Sequence, residues 1–199
     1  MYSHMHHYFI AIEAEIPVVD RLYQLQHDID RAISQDGTSF RAVNPELMHM
    51  TLKFLGEKDP RQFFEMRTFL DRFCSQRAPF SIRVGDIGGF PSLNSPHIIF
   101  VKCLEGGEHV RELAEGLDHA LRDFGYEYDN RIFVPHLSLG RVRAGRSRLN
   151  LHDKLSRYRD LDYGASRIRE VILFESALLH KGPRYSVISR HILGEDGLS

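Results

Sequence analysis

Apolar residues recur along this chain in two rhythms, every second position and every third or fourth, and the two alternate from end to end. The first spacing marks a strand with one buried face, the second an amphipathic helix. Tyr8 to Glu13 carries an almost continuous apolar run through Phe9, Ile10, Ala11 and Ile12, which predicts a strand in a central position. Val19, Leu22, Leu25, Ile29 and Ile33 predict a helix that Pro17 opens and Asp36-Gly37 ends. Thr38 to Pro45 reads as a connection. A second helix is expected from Pro60 to Cys74, capped by Asp59, with Phe63, Met66, Leu70 and Phe73 as its apolar face. Phe80, Ile82 and Val84 alternate with Ser81 and Arg83, so this is a half-buried strand. Residues 88 to 96 hold two glycines and two prolines and read as a loop. His97 to Cys103 is expected to pair antiparallel with the strand before it. Val110, Leu113, Leu117, Leu121 and Phe124 give a helix over Glu108 to Phe124, stopped by Gly125. Its polar side, Arg111, Glu112, Asp118 and His119, reads as solvated charge. Arg169 to Ser176 and Tyr185 to Leu193 form a final hairpin across Gly182-Pro183, and Glu195 to Ser199 a loose tail.

Two stretches share a pattern that the rest of the chain lacks. Met48-His49-Met50-Thr51-Leu52-Lys53-Phe54 and Val134-Pro135-His136-Leu137-Ser138-Leu139-Gly140-Arg141 each contain His, any residue, Thr or Ser, then Leu. In a strand, residues two apart share a face. His49 and Thr51 then lie on one side, with Met48, Met50, Leu52 and Phe54 on the other. His136 and Ser138 lie on one side, with Phe133, Leu137 and Leu139 on the other. Each strand buries one face and presents an imidazole beside a hydroxyl. Pro135 cannot donate a ladder hydrogen bond, so the second strand begins late, bulges or runs along an edge there. The two His are 136 − 49 = 87 residues apart, near half the chain, and each strand follows a helix. This fits two pseudo-symmetric lobes. Short turns between strands imply α+β architecture, with mainly antiparallel sheet and helices outside. No linker or low-complexity segment divides the chain, so residues 1–199 read as a single bilobal domain.

The paired motifs suit attack on a phosphodiester. Two His near their ordinary pKa supply a base and an acid at neutral pH. Thr51 and Ser138 can donate to nonbridging phosphate oxygens, and a cation can hold the remaining charge without a metal. Arg141 is the candidate for that cation. Strict alternation puts it on the Leu137 face, whereas a break at Gly140 would turn it toward His136. Lys53 shares the His49 face by the same counting, and either meets phosphate or reaches solvent. Phe9 and Phe90 are candidates to stack on a base, or else core aromatics.

Composition narrows the partners. Hydrophobic content is 42% and charged content 27%, which is that of a soluble globular chain. Nothing approaches about 18 consecutive apolar residues, so no membrane span is expected, and residues 1 to 8 do not form a secretion signal. The two cysteines, Cys74 and Cys103, read as free thiols of a cytoplasmic protein. The formal net charge of −1 gives no global field for long nucleic acid and favours a small ligand or an RNA end gripped locally. Residues 142 to 166, with Arg143, Arg146, Arg148, Lys154, Arg157 and Arg159, are the candidate local patch, although Asp153, Asp160 and Asp162 interleave it.

The chain resembles the 2H phosphoesterase superfamily, named for two His-x-Thr/Ser motifs, and most closely its RNA 2′,3′-cyclic phosphodiesterases, historically labelled 2′-5′ RNA ligases. The residues that carry the resemblance are Phe9-Ile10-Ala11-Ile12, the octet from His49 to Gly56, Gly89-Phe90-Pro91, Pro135 to Arg141, Ser176-Ala177-Leu178 and Gly182 to Tyr185. It implies two α+β lobes with the His strands lining a central groove. It implies hydrolysis of 2′,3′-cyclic phosphate ends of RNA or nucleotides to 2′-phosphates, reversible as ligation. His49 and His136 would be catalytic, with Thr51, Ser138 and Arg141 on the phosphate. The preferred assignment is His136 as base toward water and His49 as acid toward the 3′ oxygen, with the reverse open. No cofactor, no metal and a monomer are expected. Two other classes stay in view. A nucleotide sensor on the same fold would bind without turnover. A metal enzyme would need ligand spacing that His49 and His136 lack, while His4, His6 and His7 would bind metal only adventitiously.

Overall fold

The structure is a computed structural model and describes residues 6–34, 37–57, 63–143, 151–179 and 182–194. Nine strands and four α-helices lie among these residues. β1 (His6–Glu13) is followed by α1 (Ile16–Ile33), β2 (Ser39–Ala42) and β3 (His49–Glu57). Then come α2 (Phe63–Ser75), β4 (Phe80–Phe90), β5 (Ile98–Glu105) and α3 (Gly107–Ala120). β6 (His136–Arg143), α4 (Leu151–Leu155), β7 (Asp162–Ile168), β8 (Glu170–Leu179) and β9 (Gly182–Ile192) complete the order. The strands form two sheets, β3-β1-β8-β9 and β2-β6-β5-β4-β7, and every pairing is antiparallel. This is the expected α+β architecture. β1 is central in its sheet, which accounts for its unbroken apolar run.

Several elements differ from what periodicity predicts. β2 replaces the expected connection; its Ser-Phe-Arg-Ala sequence is too short to alternate visibly, and it forms by pairing with β6. β7 and α4 lie inside the basic stretch, where charge obscures the pattern. β4 runs on through Gly88, Gly89 and Phe90, in place of the start of the expected loop. Glycine serves there because a Cβ on Gly88 would stand 2.4 Å from the Phe100 ring. β6 starts directly after Pro135. The expected cap at Asp59-Pro60, Asp36, Arg146, Arg148, His4 and the tail from Glu195 lie outside the described residues.

One apolar core runs beneath both sheets. α1 packs on β2, β6 and β7, α2 on β9, and α3 against β3 and β5, so α3 bridges the two sheets. α3 gives way to a 3-10 turn over Leu121–Phe124, and Gly125 at φ 77° ends it as expected. Asp118 is a correction: it is buried, not solvated, and pairs with Lys53 of β3. Lys53 also donates to the Glu127 carbonyl at 2.8 Å, and Asp118 accepts from the Asp129 amide at 3.0 Å. This pair therefore ties β3 to α3 and to the connection that leads into β6. On the other flank, buried His191 of β9 bonds Asp71 of α2 at 2.6 Å and Ser189 at 2.8 Å. A second small cluster, Phe9, Ala11, Ile172 and Phe174 with Tyr185 against it, lies on the opposite face of the first sheet from the main core. That aromatic face is the floor on which His49 sits.

Candidate active site

β3 and β6 carry the two motifs and approach each other where the sheets meet. Their burial runs in step: His49, Thr51, His136 and Ser138 are all half-buried, and Met50, Leu52, Leu137 and Leu139 are all buried. Each strand then departs from alternation at the same place. In β3, Ala11 pairs with Thr51 and Ile10 with Lys53, so Leu52 is an extra residue. In β6, Phe100 pairs with Ser138 and Ile99 with Gly140, so Leu139 is an extra residue. A bulge of one residue reverses the faces of everything beyond it. Lys53 and Gly140 therefore turn to the core side, while Phe54 and Arg141 join the face of the motif His.

This corrects two expectations and resolves a third. Phe54 is not on the core face but 67% exposed on the His49 side. Lys53 neither meets phosphate nor reaches solvent; it is 8% exposed in its pair with Asp118. Arg141 does reach the motif face, through the bulge at Leu139 rather than a break at Gly140. Buried Gln26 of α1 holds that bulge, donating from Nε2 to the Leu139 carbonyl at 2.7 Å and to that of Val43 at 2.8 Å. Gly140 meets Phe40 so closely that a Cβ would stand 2.4 Å from its ring and 2.7 Å from the Arg41 carbonyl. Gly140→Ala should cost about 1–3 kcal/mol by overpacking, seen as a lower midpoint in urea.

The His rings are held alike. Nδ1 of His49 bonds the Leu47 carbonyl at 2.7 Å, and Nδ1 of His136 bonds the Val134 carbonyl at 2.6 Å. A carbonyl only accepts, so each Nδ1 carries the proton and each neutral ring has its lone pair on Nε2. Aromatic rings back both. Phe9, Tyr185 and Phe174 lie 4.8, 5.3 and 5.9 Å from His49, and Phe90 and Phe100 each 5.0 Å from His136. Burial among these rings is the main reason both His sit below their ordinary pKa, against the carbonyl bonds that favour the charged form. The charge of His136 further disfavours charging His49, so the two rings lie in one another's field.

Phe9 is a core aromatic at 3% exposure, and Phe90 stacks on Phe100 at 4.3 Å. The open aromatic is Phe54. Tyr185, to which the sequence assigns no role of its own, stands edge-on to His49. Burial raises its pKa, and the nearby positive charge of Arg141 opposes that rise. Arg141 thus bridges the field of both sheets. Lys102 is directly opposite His136 on the same face and is held by Asp86 at 2.6 Å. The basic stretch is not one surface. Arg143 shares the Arg141 face, Arg159 turns to Asp86 at 3.8 Å, and Lys154 and Arg157 line a separate cavity of about 410 Å³ with Arg31.

Residues 12–100 match the family described as LigT-like phosphoesterase. An RNA 2′,3′-cyclic phosphodiesterase of Methanocaldococcus jannaschii is 32% identical over 180 residues, covering 90% of this chain and 96% of that protein. The chain belongs to the LigT-like phosphoesterase family. A second relative, an RNA 2′,3′-cyclic phosphodiesterase of Aquifex aeolicus, is 29% identical over 153 residues, 76% of this chain and 81% of its own. The crystal structure of TT0787 of Thermus thermophilus superposes with a TM-score of 0.78 at 25% identity, covering 96% of this chain and all of that one. The architecture of this LigT-like phosphoesterase is thus shared over nearly its full length. No helix among its described residues is long and apolar enough to cross a membrane.

Proposed function

We propose that this chain hydrolyses 2′,3′-cyclic phosphate ends of RNA or nucleotides to 2′-phosphomonoesters by metal-independent acid–base catalysis, and that the path is reversible as 2′-5′ ligation. The observation that carries the reading is the matched pair of His, each with Nδ1 fixed on a backbone carbonyl and Nε2 left for the substrate. Two relatives bear the name RNA 2′,3′-cyclic phosphodiesterase, which supports the substrate class.

On this reading the cyclic phosphate lies between β3 and β6. One Nε2, that of His136, takes the proton of water as its oxygen attacks phosphorus. Nε2–H of His49 delivers a proton to the departing 3′ oxygen in line with the attack. Thr51 and Ser138 donate to the nonbridging oxygens, and Arg141 holds the charge that spreads over them. Tyr185 orders the His49 side, and exposed Phe54 offers a face to the terminal base. The reverse reaction exchanges the two His. Residues 1–199 act as one bilobal domain, as a cytoplasmic monomer.

The test is incubation with a 2′,3′-cyclic mononucleotide in EDTA, with the product identified. A 2′-phosphate formed at an undiminished rate is the expected result. Nucleotide binding without turnover would replace the enzyme with a sensor, and a rate abolished by EDTA would replace the two-His reaction with a metal-dependent one.

A further inference from the structure

The two motif His are matched in their own strands but not in what stands directly opposite them. Glu13 of β1 pairs with His49, and Lys102 of β5 pairs with His136. Directly opposite residues share a face, with Cβ atoms about 5 Å apart. One ring therefore has a carboxylate for a neighbour and the other an ammonium. An unopposed carboxylate would favour the charged form of His49, and an unopposed ammonium would disfavour that of His136. The two rings would be driven apart.

Each of these charges has a counter-ion, and in each sheet it comes from the side away from the His strand. Arg190 of β9 reaches across β8 to Glu13 at 3.3 Å and also pairs with Glu170. Asp86 of β4 holds Lys102 at 2.6 Å, with Arg159 behind it at 3.8 Å. Asp86 is built into its place. It is the extra residue of a bulge between Gly85 and Ile87, at φ 44°, in the left-handed region that Asp tolerates. Its amide donates to the Leu161 carbonyl at 2.9 Å, and its carboxylate is 14% exposed. Gly85 makes the bulge possible, because a Cβ there would stand 2.2 Å from the same carbonyl oxygen. The other charged or titratable groups on these faces, among the described residues, are Tyr185 beside His49, Arg141 and Arg143 beyond Ser138, and Arg41 opposite Arg141. Burial, opposed by the carbonyl bonds, lowers both rings, in keeping with masked neighbours.

We propose that Arg190 and Asp86 are positioning residues that mask Glu13 and Lys102, and so keep the two His interchangeable as acid and base. The inference rests on the phosphodiesterase reading above and deepens it, because a path that runs in both directions needs either ring in either role.

The test follows the titration of the His49 and His136 rings by NMR, which needs no turnover. Arg190→Gln should raise the His49 midpoint, and Asp86→Asn should lower that of His136. Each shift should be about half a pH unit, as for one charge several ångströms away in a water-like medium, and the other ring should stay where it was. Asn tolerates the left-handed backbone, so the second substitution acts on charge. Removing the unmasked charge as well, in Glu13→Gln with Arg190→Gln and in Lys102→Gln with Asp86→Asn, should return each midpoint to its wild-type value. A merely structural role would give neither the opposite signs nor the recovery. Midpoints that do not move, or that move together in both single variants, would overturn the masking while a wild type that turns over keeps the phosphodiesterase in place. A wild type that does not turn over a 2′,3′-cyclic nucleotide would instead overturn the phosphodiesterase reading, and the role of the masks with it.

Discussion

His49→Ala and His136→Ala should each lower kcat on a 2′,3′-cyclic nucleotide by at least about a hundredfold, the lower end of what general acid–base help supplies. The expected losses are similar, because the two rings occupy matched places. Each sits half-buried, each is fixed through Nδ1 to the carbonyl two residues earlier, and each precedes a hydroxyl on the same face. The double variant should lose little more than either single one, since an acid without its base does not complete the transfer. Both rings are partly exposed, so truncation leaves no large cavity and the thermal midpoint should stay near that of the wild type. Quench-flow or simple product assays on folded variants check this. A single variant with near-normal kcat would remove that His from the reaction.

Lys53→Met should destabilise the protein by about 3–5 kcal/mol, because it leaves the Asp118 carboxylate buried without its cation. At this chain length that corresponds to a fall in Tm of roughly 6–20 °C. The damage should reach function as well. Lys53 holds the Glu127 carbonyl, and Asp118 holds the Asp129 amide, in the connection that delivers His136. Replacing both partners, Lys53→Met with Asp118→Leu, should recover much of the stability, since an apolar pair needs no counter-charge. Calorimetry of the two single variants and the double checks it. A Lys53→Met variant within about 1 kcal/mol of wild type would mean the pair is not an obligate part of the core.

Much of this architecture is legible in the pattern of apolar residues. The central strand at Phe9 to Ile12, α1, α3 and the last hairpin follow directly from spacing. The two bulges do not, and they decide the site. In β3 strict alternation gives His49, Thr51 and Lys53 on one face and Met50, Leu52 and Phe54 on the other, a division that looks complete and hides the break. In β6 it places Arg141 and Arg143 on the face of Leu137 and Leu139, and charges on an apolar face are the one visible sign. Leu at the same offset after each hydroxyl is the shared feature. What Gln26 does for the Leu139 carbonyl depends on a helix distant in sequence, and no local pattern reports it. The pairing of Lys53 with Asp118 is hidden for the same reason: it exists only across 65 residues of chain, so each looks like a residue facing solvent or substrate.

The measurement that bears most directly on two His acting as a pair is kcat/KM against pH. Burial holds both below 6.5. As pH falls through the lower of the two values, the base is protonated and the rate drops. As pH rises through the higher, the acid is lost and the rate drops again, about tenfold per unit. The expected profile is a bell with its maximum on the acid side of 6.5 and a descending limb already present at neutrality. A rate that rises to a plateau and holds at alkaline pH would contradict the account, because it requires one base and no acid.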